Sequence, residues 1–386
     1  MLLGIDSLVK DAFRPIKGMK VGLLTNLSCC DSRLNTTISI FEKSKKIKLA
    51  AIFAPEHGLF SSLQDQVKSP DSKYHGQFKI HSLYGPRKEP ELTSLQSLDA
   101  VVIDLPDIGC RYYTFLWSAM LMMAAASKLH KKTLVLDRPN PLGGIEVQGP
   151  SIDPGFESFV GLYSLPVRHG MTIGEICTML NIEHDLQNDL QIIRAKNWQR
   201  RKYADELENH WTVPSPNMPD FSTALVYPGM CLLEGTNVSE GRGTTRPFEI
   251  FGAPWIDPEK TKLKLDKERI PGASFRAVYF MPTFHKFERQ LCGGLHLYVT
   301  DRRRFDPIFT GLQVIKTIYD LYPDDFLWRQ PPYEFEKDKM PFDILIGNDW
   351  VRNAIGKNTR IDKIEKRWQA DVAKFKRLRN KYLLYN

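Results

Sequence analysis

The sequence predicts an α/β chain: a parallel sheet covered by helices on both faces, followed by a smaller α+β part. Three observations carry this. Residues 19–26, 49–55, 99–105 and 133–137 contain continuous rather than alternating apolar runs, the pattern of strands buried on both faces. Helix-like stretches fall between these runs, which is the rhythm of βα units. At 386 residues the chain also exceeds one ordinary core, so two domains are expected.

In chain order, MKVGLLTN (19–26) is a buried strand ending in polar groups, and a helix-like stretch follows over 35–45. LAAIFAP (49–55) ends at Glu56-His57-Gly58, and 78–85 is a short strand. DAVVIDL (99–105) ends at Pro106-Asp107, and 113–130 is a long apolar helix. TLVLD (133–137) runs into Arg138-Pro139-Asn140-Pro141. An amphipathic helix over 172–185 and a strand over 190–195 complete this half. WTVPSPNMPDF (211–221) reads as a rigid, non-helical connector, and the boundary is placed after it, giving domains 1–226 and 227–386. Beyond it, 274–281 and 294–300 alternate as strands, and 306–322, 343–355 and 362–385 read as helices. No internal repeat or low-complexity segment is present.

The polar residues follow the strand cores: Asn26, then Glu56 and His57, then Asp104 and Asp107, then Asp137, Arg138 and Asn140. In an open α/β sheet the carboxyl ends of the strands share one edge, and ligands bind there. These stretches therefore converge on one cleft. The architecture is Rossmann-like, yet TNLSCCD stands where a GxGxxG turn would follow the first strand. A dinucleotide cofactor is therefore not expected.

Hydrophobic content of 42% and charged content of 25% are those of a globular protein. The net charge is +8, with many basic residues in 362–385, where a solvated helix face accounts for them better than a nucleic-acid surface. The six cysteines include the neighbours Cys29 and Cys30 and show no CxxC or Cys/His ligand spacing, so no metal site is expected. The start of the chain lacks the apolar core of a signal peptide, and the longest apolar run, 115–126, is too short to span a bilayer. As written the chain is expected in the cytoplasm, or in the periplasm or medium if an export signal has been trimmed.

The richest stretch is 227–255, YPGMCLLEGTNVSEGRGTTRPFEIFGAPW. It combines Glu234, Glu240, Arg242, Arg246 and Asn237 with the glycines Gly235, Gly241 and Gly243, and reads as a shaped loop rather than a helix or strand. Glu56, set between proline and histidine at a strand end, has two readings. A carboxyl against apolar walls can serve as a general acid; a carboxylate at a helix start is held by backbone amides. Glu234 and Glu240 are its candidate partners, since two carboxyl groups flanking a scissile bond are the equipment of glycoside hydrolysis.

The segments APEHGLF (54–60), SLYGPRKEP (82–90), DLPDIGCRYYTF (104–115), LDRPNPLGG (136–144), PVRHGMTIGE (166–175), PSPNMP (214–219), 227–255 and CGGLHLYVTDRRRFDP (292–307) resemble the bacterial exo-β-N-acetylmuramidases of the NamZ type, a family formerly catalogued as a domain of unknown function. The likeness runs in unbroken order through nearly the whole chain. It implies a Rossmann-like N-terminal domain, a smaller C-terminal domain and a cleft between them. It also implies cofactor-independent release of N-acetylmuramic acid from the non-reducing end of peptidoglycan fragments. The family's EHG motif falls on Glu56, His57 and Gly58, with the acid as the expected catalytic residue. Two positions depart from the family pattern: Pro106 stands where glutamine is usual, and Gln148 where glutamate is usual.

Muramic acid carries a lactyl carboxylate, and its recognition calls for a cation. Arg111, Arg168 and Arg242 stand inside the resembling motifs, with Arg242 first in line and Arg111 second; internal ion pairing is the competing reading for each. Tyr84, Tyr112 and Tyr113 are candidate stacking platforms or core residues. His57 and His169 are candidates for holding the carboxylates or for a structural role. Asn26, Asp107, Arg138, Asn140 and Asn237 complete the expected substrate-binding set. A non-catalytic muropeptide-binding protein on the same scaffold would share the binding residues and differ only at Glu56 and its partner.

Overall fold

The apolar runs become strands of one twisted sheet. The computed structural model describes residues 1–65, 67, 71–75, 78–85 and 87–386; Pro86 of the SLYGPRKEP stretch lies outside them. The first half contains α1 (Gly4–Lys10), β1 (Lys20–Leu24), α2 (Thr37–Lys43), β2 (Lys48–Ala54), β3 (Ser72–Tyr74), β4 (Phe78–Ser82), α3 (Leu92–Gln96), β5 (Ala100–Ile103), α4 (Phe115–Lys128), β6 (Lys132–Leu136), α5 (Ile173–Glu183) and β7 (Leu190–Ile193). The strand order is β3-β4-β2-β1-β5-β6-β7, parallel throughout except that β3 runs antiparallel to β4. Leaving β3 aside, the chain winds outward from β1 through β2 to β4, then returns to β5 and winds out the other way. This is the doubly wound order, with its switch point between β1 and β5.

Side chains alternate across each strand, which is why both faces needed apolar residues. Leu23, Ile52, Val102 and Leu134 pack with α1 and α2 on one face. Leu24, Phe53, Ile103 and Val135 pack with α4 and α5 on the other. Helix α4 is buried along most of its length, and α5 starts at a capping box in which Thr172 accepts from Glu175 N and Glu175 accepts from Thr172 N.

The second half contains α6 (Phe221–Met230), β8 (Ile250–Ala253), α7 (Pro258–Glu268), β9 (Ala273–Phe280), β10 (Cys292–Val299), α8 (Pro307–Leu321), α9 (Pro341–Ile346), α10 (Trp350–Gly356) and α11 (Ile361–Arg379). Its three strands form an antiparallel sheet in the order β8-β10-β9. Helices α7 and α8 each begin with an aspartate cap, Asp257 and Asp306, followed by proline. Helix α11 buries Ile361, Ile364, Trp368, Val372 and Phe375 at three- and four-residue spacing, with Arg379 continuing that face and most of its other basic residues outside it.

Three expectations change. The stretch 227–255 is a loop only in its middle: it starts inside α6, passes through a 3-10 turn (Cys231–Gly235) and ends in β8. The single helix expected over 343–355 is two, α9 and α10, separated at Gly347, whose φ of 89° ends α9. The 226/227 division falls within α6.

Candidate active site

Strand β2 delivers Glu56. The chain turns away at once, because His57 and Gly58 both take left-handed φ values, 67° and 71°. His57 Nδ1 donates to the Leu63 carbonyl at 2.8 Å and closes that turn. Glu56 is 5% exposed, and its Oε2 accepts from Thr114 Oγ1 at 2.6 Å. Thr114 stands immediately before α4, at the edge where β5 also ends. Tyr84, just past β4, lies in the field of both Glu56 and a second acid, Glu334. Its hydroxyl donates to Glu334 Oε2 at 3.1 Å.

Glu334 belongs to a tight two-residue hairpin. Tyr333 and Glu336 exchange both backbone hydrogen bonds, at 2.9 and 2.8 Å, and Glu334 and Phe335 take φ values of 46° and 70°. Two successive left-handed residues are the hallmark of the type I′ turn, here without the usual glycine or asparagine. Such backbone strain costs on the order of 1–3 kcal/mol per residue and gathers at functional sites. Burial, and then the charges of Glu56 and Glu234, push the Glu334 carboxyl well above the usual carboxylate range. Burial also raises the Tyr84 phenol, keeping it a donor.

Glu234 comes from the 3-10 turn after α6. It accepts from Arg242 Nη2 at 2.7 Å, from the Tyr333 hydroxyl at 2.7 Å and from the Cys231 thiol at 3.5 Å. Arg242 also reaches Asp65 at 3.0 Å and Glu240 at 3.3 Å. Burial works against its charge, but the three carboxylates outweigh burial and hold the guanidinium firmly protonated. These groups face a cavity of about 40 Å³, room for a few water molecules.

Of the expected residues, Glu56, His57, Tyr112, Tyr113, Glu234 and Arg242 line this cavity. Glu240 does not. It is fully buried behind Arg242, with Lys286 Nζ at 2.8 Å and His285 Nδ1 at 3.2 Å. Burial would raise its carboxyl, but Lys286, His285 and Arg242 prevail and hold it far below the usual range. Lys286 also donates to the Leu233 and Val238 carbonyls, so the pair anchors the loop beneath Glu234. Glu240 is an internal counter-ion, not a partner facing the cavity.

The three expected binding arginines all have partners within the chain. Arg111 is fully buried and donates to the carbonyls of Pro150, Leu165 and Leu345. Arg168 donates to Gln148 and to the Leu142 carbonyl. Both guanidiniums tie loops together, since interior donors must be satisfied by the chain itself. Arg242 lines the cavity, but its donors are committed to acids. Asn26 donates to the Pro214 carbonyl and accepts from Ser28. Asn140 bridges Leu142 and Met171, and Asn237 bridges Asp325 and Leu327. Tyr112 donates to the Pro228 carbonyl inside α6.

Asp107 and Arg138 line a different cavity of about 500 Å³, with Trp211, Pro214 and Phe221 in its walls. Asp107 faces His169 Nε2 at 3.4 Å. At the switch point itself, Arg138 donates to both oxygens of Asp104 at 2.6 and 2.9 Å, and Thr37 also donates to Asp104 at 2.5 Å. The chain's own ion pair thus stands at the crevice between β1 and β5, and the acid cluster lies to one side, past the ends of β2 and β4. Sequence reasoning missed Glu334, Asp65 and Tyr333. PPYEFEKDK (331–339) has no glycine to mark the turn that presents Glu334, so no residue pattern flagged it.

The family model described as exo-β-N-acetylmuramidase NamZ, N-terminal, matches residues 21–222, and its C-terminal counterpart matches residues 225–385. The chain is 41% identical over 384 residues to the peptidoglycan β-N-acetylmuramidase NamZ of Bacillus subtilis (strain 168), covering 99% of this chain and 91% of the relative. A crystal structure of a DUF1343 family protein from Bacteroides fragilis NCTC 9343 superposes with a TM-score of 0.89 at 31% identity, covering 100% of this chain and 99% of that one. A second DUF1343 structure from the same strain gives a TM-score of 0.78 at 28% identity, with the same coverage.

Proposed function

This chain belongs to the NamZ family of exo-β-N-acetylmuramidases, which are glycoside hydrolases, and from that premise we propose that it removes N-acetylmuramic acid from the non-reducing end of peptidoglycan fragments. The observation that carries the reading is the meeting of Glu56, Glu234 and Glu334, from three separate segments, in one buried cavity. Carboxyl groups in unlike environments are what glycoside hydrolysis uses. Around Glu334 burial and like charge favour the acid form. Glu234 is the acceptor of three donors.

In this reading the Glu56–Glu334 pair, joined through Tyr84, holds the proton that passes to the glycosidic oxygen as the bond to C1 breaks. Water adds at C1 and gives its proton to a carboxylate of the cluster, so the balance is one water consumed and two hydroxyl-ended products formed. The cavity admits a few waters and no sugar ring, so substrate entry requires its wall to part. The wall that suits this is the Tyr333–Glu336 hairpin, which faces the first half through Tyr84. The cleft then lies between residues 1–226 and 227–386, and the substrates are muramyl–glucosaminyl oligosaccharides and muropeptides.

The test is hydrolysis of the muramyl–glucosaminyl disaccharide and of a chromogenic N-acetylmuramide. The wild type should release free N-acetylmuramic acid, and Glu56→Gln should lower kcat by roughly 10²–10⁴-fold while keeping a native circular dichroism spectrum. Binding without turnover by the wild type would leave a muropeptide-binding protein instead. Near-normal turnover by Glu56→Gln would remove Glu56 from the chemistry.

A further inference from the structure

A muramidase must recognise the lactyl carboxylate, and the arginines that the sequence offered for it are engaged elsewhere. Arg111 and Arg168 are spent on buried carbonyls and Gln148. Arg242 sits among Asp65, Glu234 and Glu240. A fourth carboxylate would meet three acids that already share this guanidinium, with Lys286 and His285 turned to Glu240 rather than to the cavity.

Another cation stands beside the Tyr84–Glu334 contact. Lys88, from the SLYGPRKEP stretch, is partly buried, and its ammonium lies over two rings, 4.7 Å from the centre of Phe159 and 4.5 Å from that of Phe335. Phe335 is the residue after Glu334 in the tight hairpin. Both rings also pack on Tyr84, at 5.9 and 5.7 Å. Tyr84, Phe159, Phe335 and Lys88 thus form one unit next to the Glu56–Glu334 pair. Among the described residues, the Lys88 ammonium has ring partners and no carboxylate within ion-pair distance. Burial lowers its affinity for a proton more than the charges of Glu334 and Glu336 restore it.

Resting on the muramidase reading above, we infer that Lys88 is the specificity-determining cation that pairs with the lactyl carboxylate. The geometry of the sugar suits this. The lactyl group hangs from C3, two ring bonds from the C1 at which the acid pair would act, so its carboxylate must find a cation that neighbours the acids without belonging to their network. Lys88 meets that condition and Arg242 does not. Of the two flanking rings, the buried Phe159 gives the ammonium an apolar side, against which a charge pair counts for more than in open water.

The experiment compares wild type, Lys88→Ala and Lys88→Arg on three chromogenic substrates: the N-acetylmuramide, its lactyl methyl ester and the N-acetylglucosaminide. Wild type should prefer the free acid over the ester and the glucosaminide by roughly ten- to a hundredfold in kcat/KM, the worth of a charge-assisted hydrogen bond. Lys88→Ala should lose that preference by slowing the free acid alone, with the loss mainly in KM, while its rates on the ester and glucosaminide stay near those of wild type. Lys88→Arg should restore much of the preference. A Lys88→Ala enzyme that still prefers the free acid as strongly as wild type overturns the assignment. So does one that slows equally on all three substrates, which would make Lys88 a purely structural residue. A wild type inert on all three would instead sink the muramidase reading itself.

Discussion

The residue whose chemistry most shapes the site is Glu334. Glu56 and Glu334 line one buried cavity, where burial and the neighbouring charges push the Glu334 carboxyl well above the usual carboxylate range. Replacing Glu334 with glutamine removes one of the two charges. The basic limb of the kcat/KM profile between pH 4 and 9 should then move to lower pH, and an unmoved limb would mean that Glu334 is not coupled to the catalytic proton. Stability should respond with a definite sign. The folded-state pKa is raised, so the folded protein binds more protons than the unfolded chain above the unfolded pKa of about 4.3, and wild-type stability falls as pH rises from there. Glutamine cannot ionise, so the melting temperature of Glu334→Gln relative to wild type should climb with pH over the same window. Residues at strand ends were readable before the fold was known: Glu56 lies where an apolar run meets proline, and Glu234 and Arg242 lie in the glycine-marked stretch. Glu334 was not, because its place depends on a hairpin with no turn residue to announce it. For the arginines the sequence left two readings, because a buried guanidinium and a ligand-binding one leave the same mark in it. Only the partners distinguish them, and those partners are backbone carbonyls more than 30 positions away in the case of Arg111.

At the scale of elements, the position of Glu234 depends on a close helix crossing. Helices α6 and α8 meet at Gly229 and Gly311, where a Cβ on Gly229 would overlap the Pro307 carbonyl and one on Gly311 would overlap the Gly229 carbonyl. The 3-10 turn bearing Glu234 starts one residue after α6 ends. Gly229→Ala must therefore push the helices apart, and overpacking of this kind costs about 1–3 kcal/mol. The variant should melt several degrees lower and also lose activity at temperatures where it remains folded, because Glu234 shifts with α6. A variant that is destabilised yet fully active when folded would show that Glu234 tolerates displacement. The strands of the parallel sheet could be read because burial on both faces leaves an unbroken apolar run. Helix α7 could not, since PEKTKLKLDKE buries only Pro258, Thr261 and Leu265 and its apolar signal is too thin. The start of the 227–255 stretch was misread as loop because Pro228 and Gly229 are helix breakers in isolation. Here the proline carbonyl takes the Tyr112 hydroxyl and the glycine makes the crossing with α8, so tertiary contacts repay both local penalties.

For the whole molecule the question is whether two halves in sequence are two halves in folding. The larger apolar core runs from Leu24 and Phe53 of the parallel sheet through Tyr227 and Phe248 to Trp368 and Phe375 of the last helix. The chain also doubles back at its end: Arg379 donates to the carbonyls of Gly144, Ile145, His169 and Gly170, Leu384 N donates to Glu175, and the Tyr385 hydroxyl donates to Asp137 at 2.6 Å. Asp137 is fully buried, and burial pushes its carboxyl up to about 6 despite the donors from Tyr385, Thr172 and Gly174. The site itself needs both halves, since Glu56, Thr114 and Tyr84 come from one and Glu234, Arg242 and Glu334 from the other. A shared core and a returning C-terminal segment make separate unfolding expensive, because opening either half exposes apolar surface of the other. Urea unfolding should therefore proceed in one transition. Tryptophan fluorescence reports on Trp117, Trp198 and Trp211 in the first half and on Trp255, Trp328, Trp350 and Trp368 in the second, and its midpoint should coincide with that of far-ultraviolet circular dichroism. Arg379→Ala should lower that midpoint without splitting the transition, by leaving the buried His169 carbonyl without its donor at about 1–3 kcal/mol, while the Gly144 and Gly170 carbonyls keep Arg200. Two resolved transitions in the wild type would mean instead that the halves are held together at the cleft alone, and that the continuous core does not bind them into one cooperative unit.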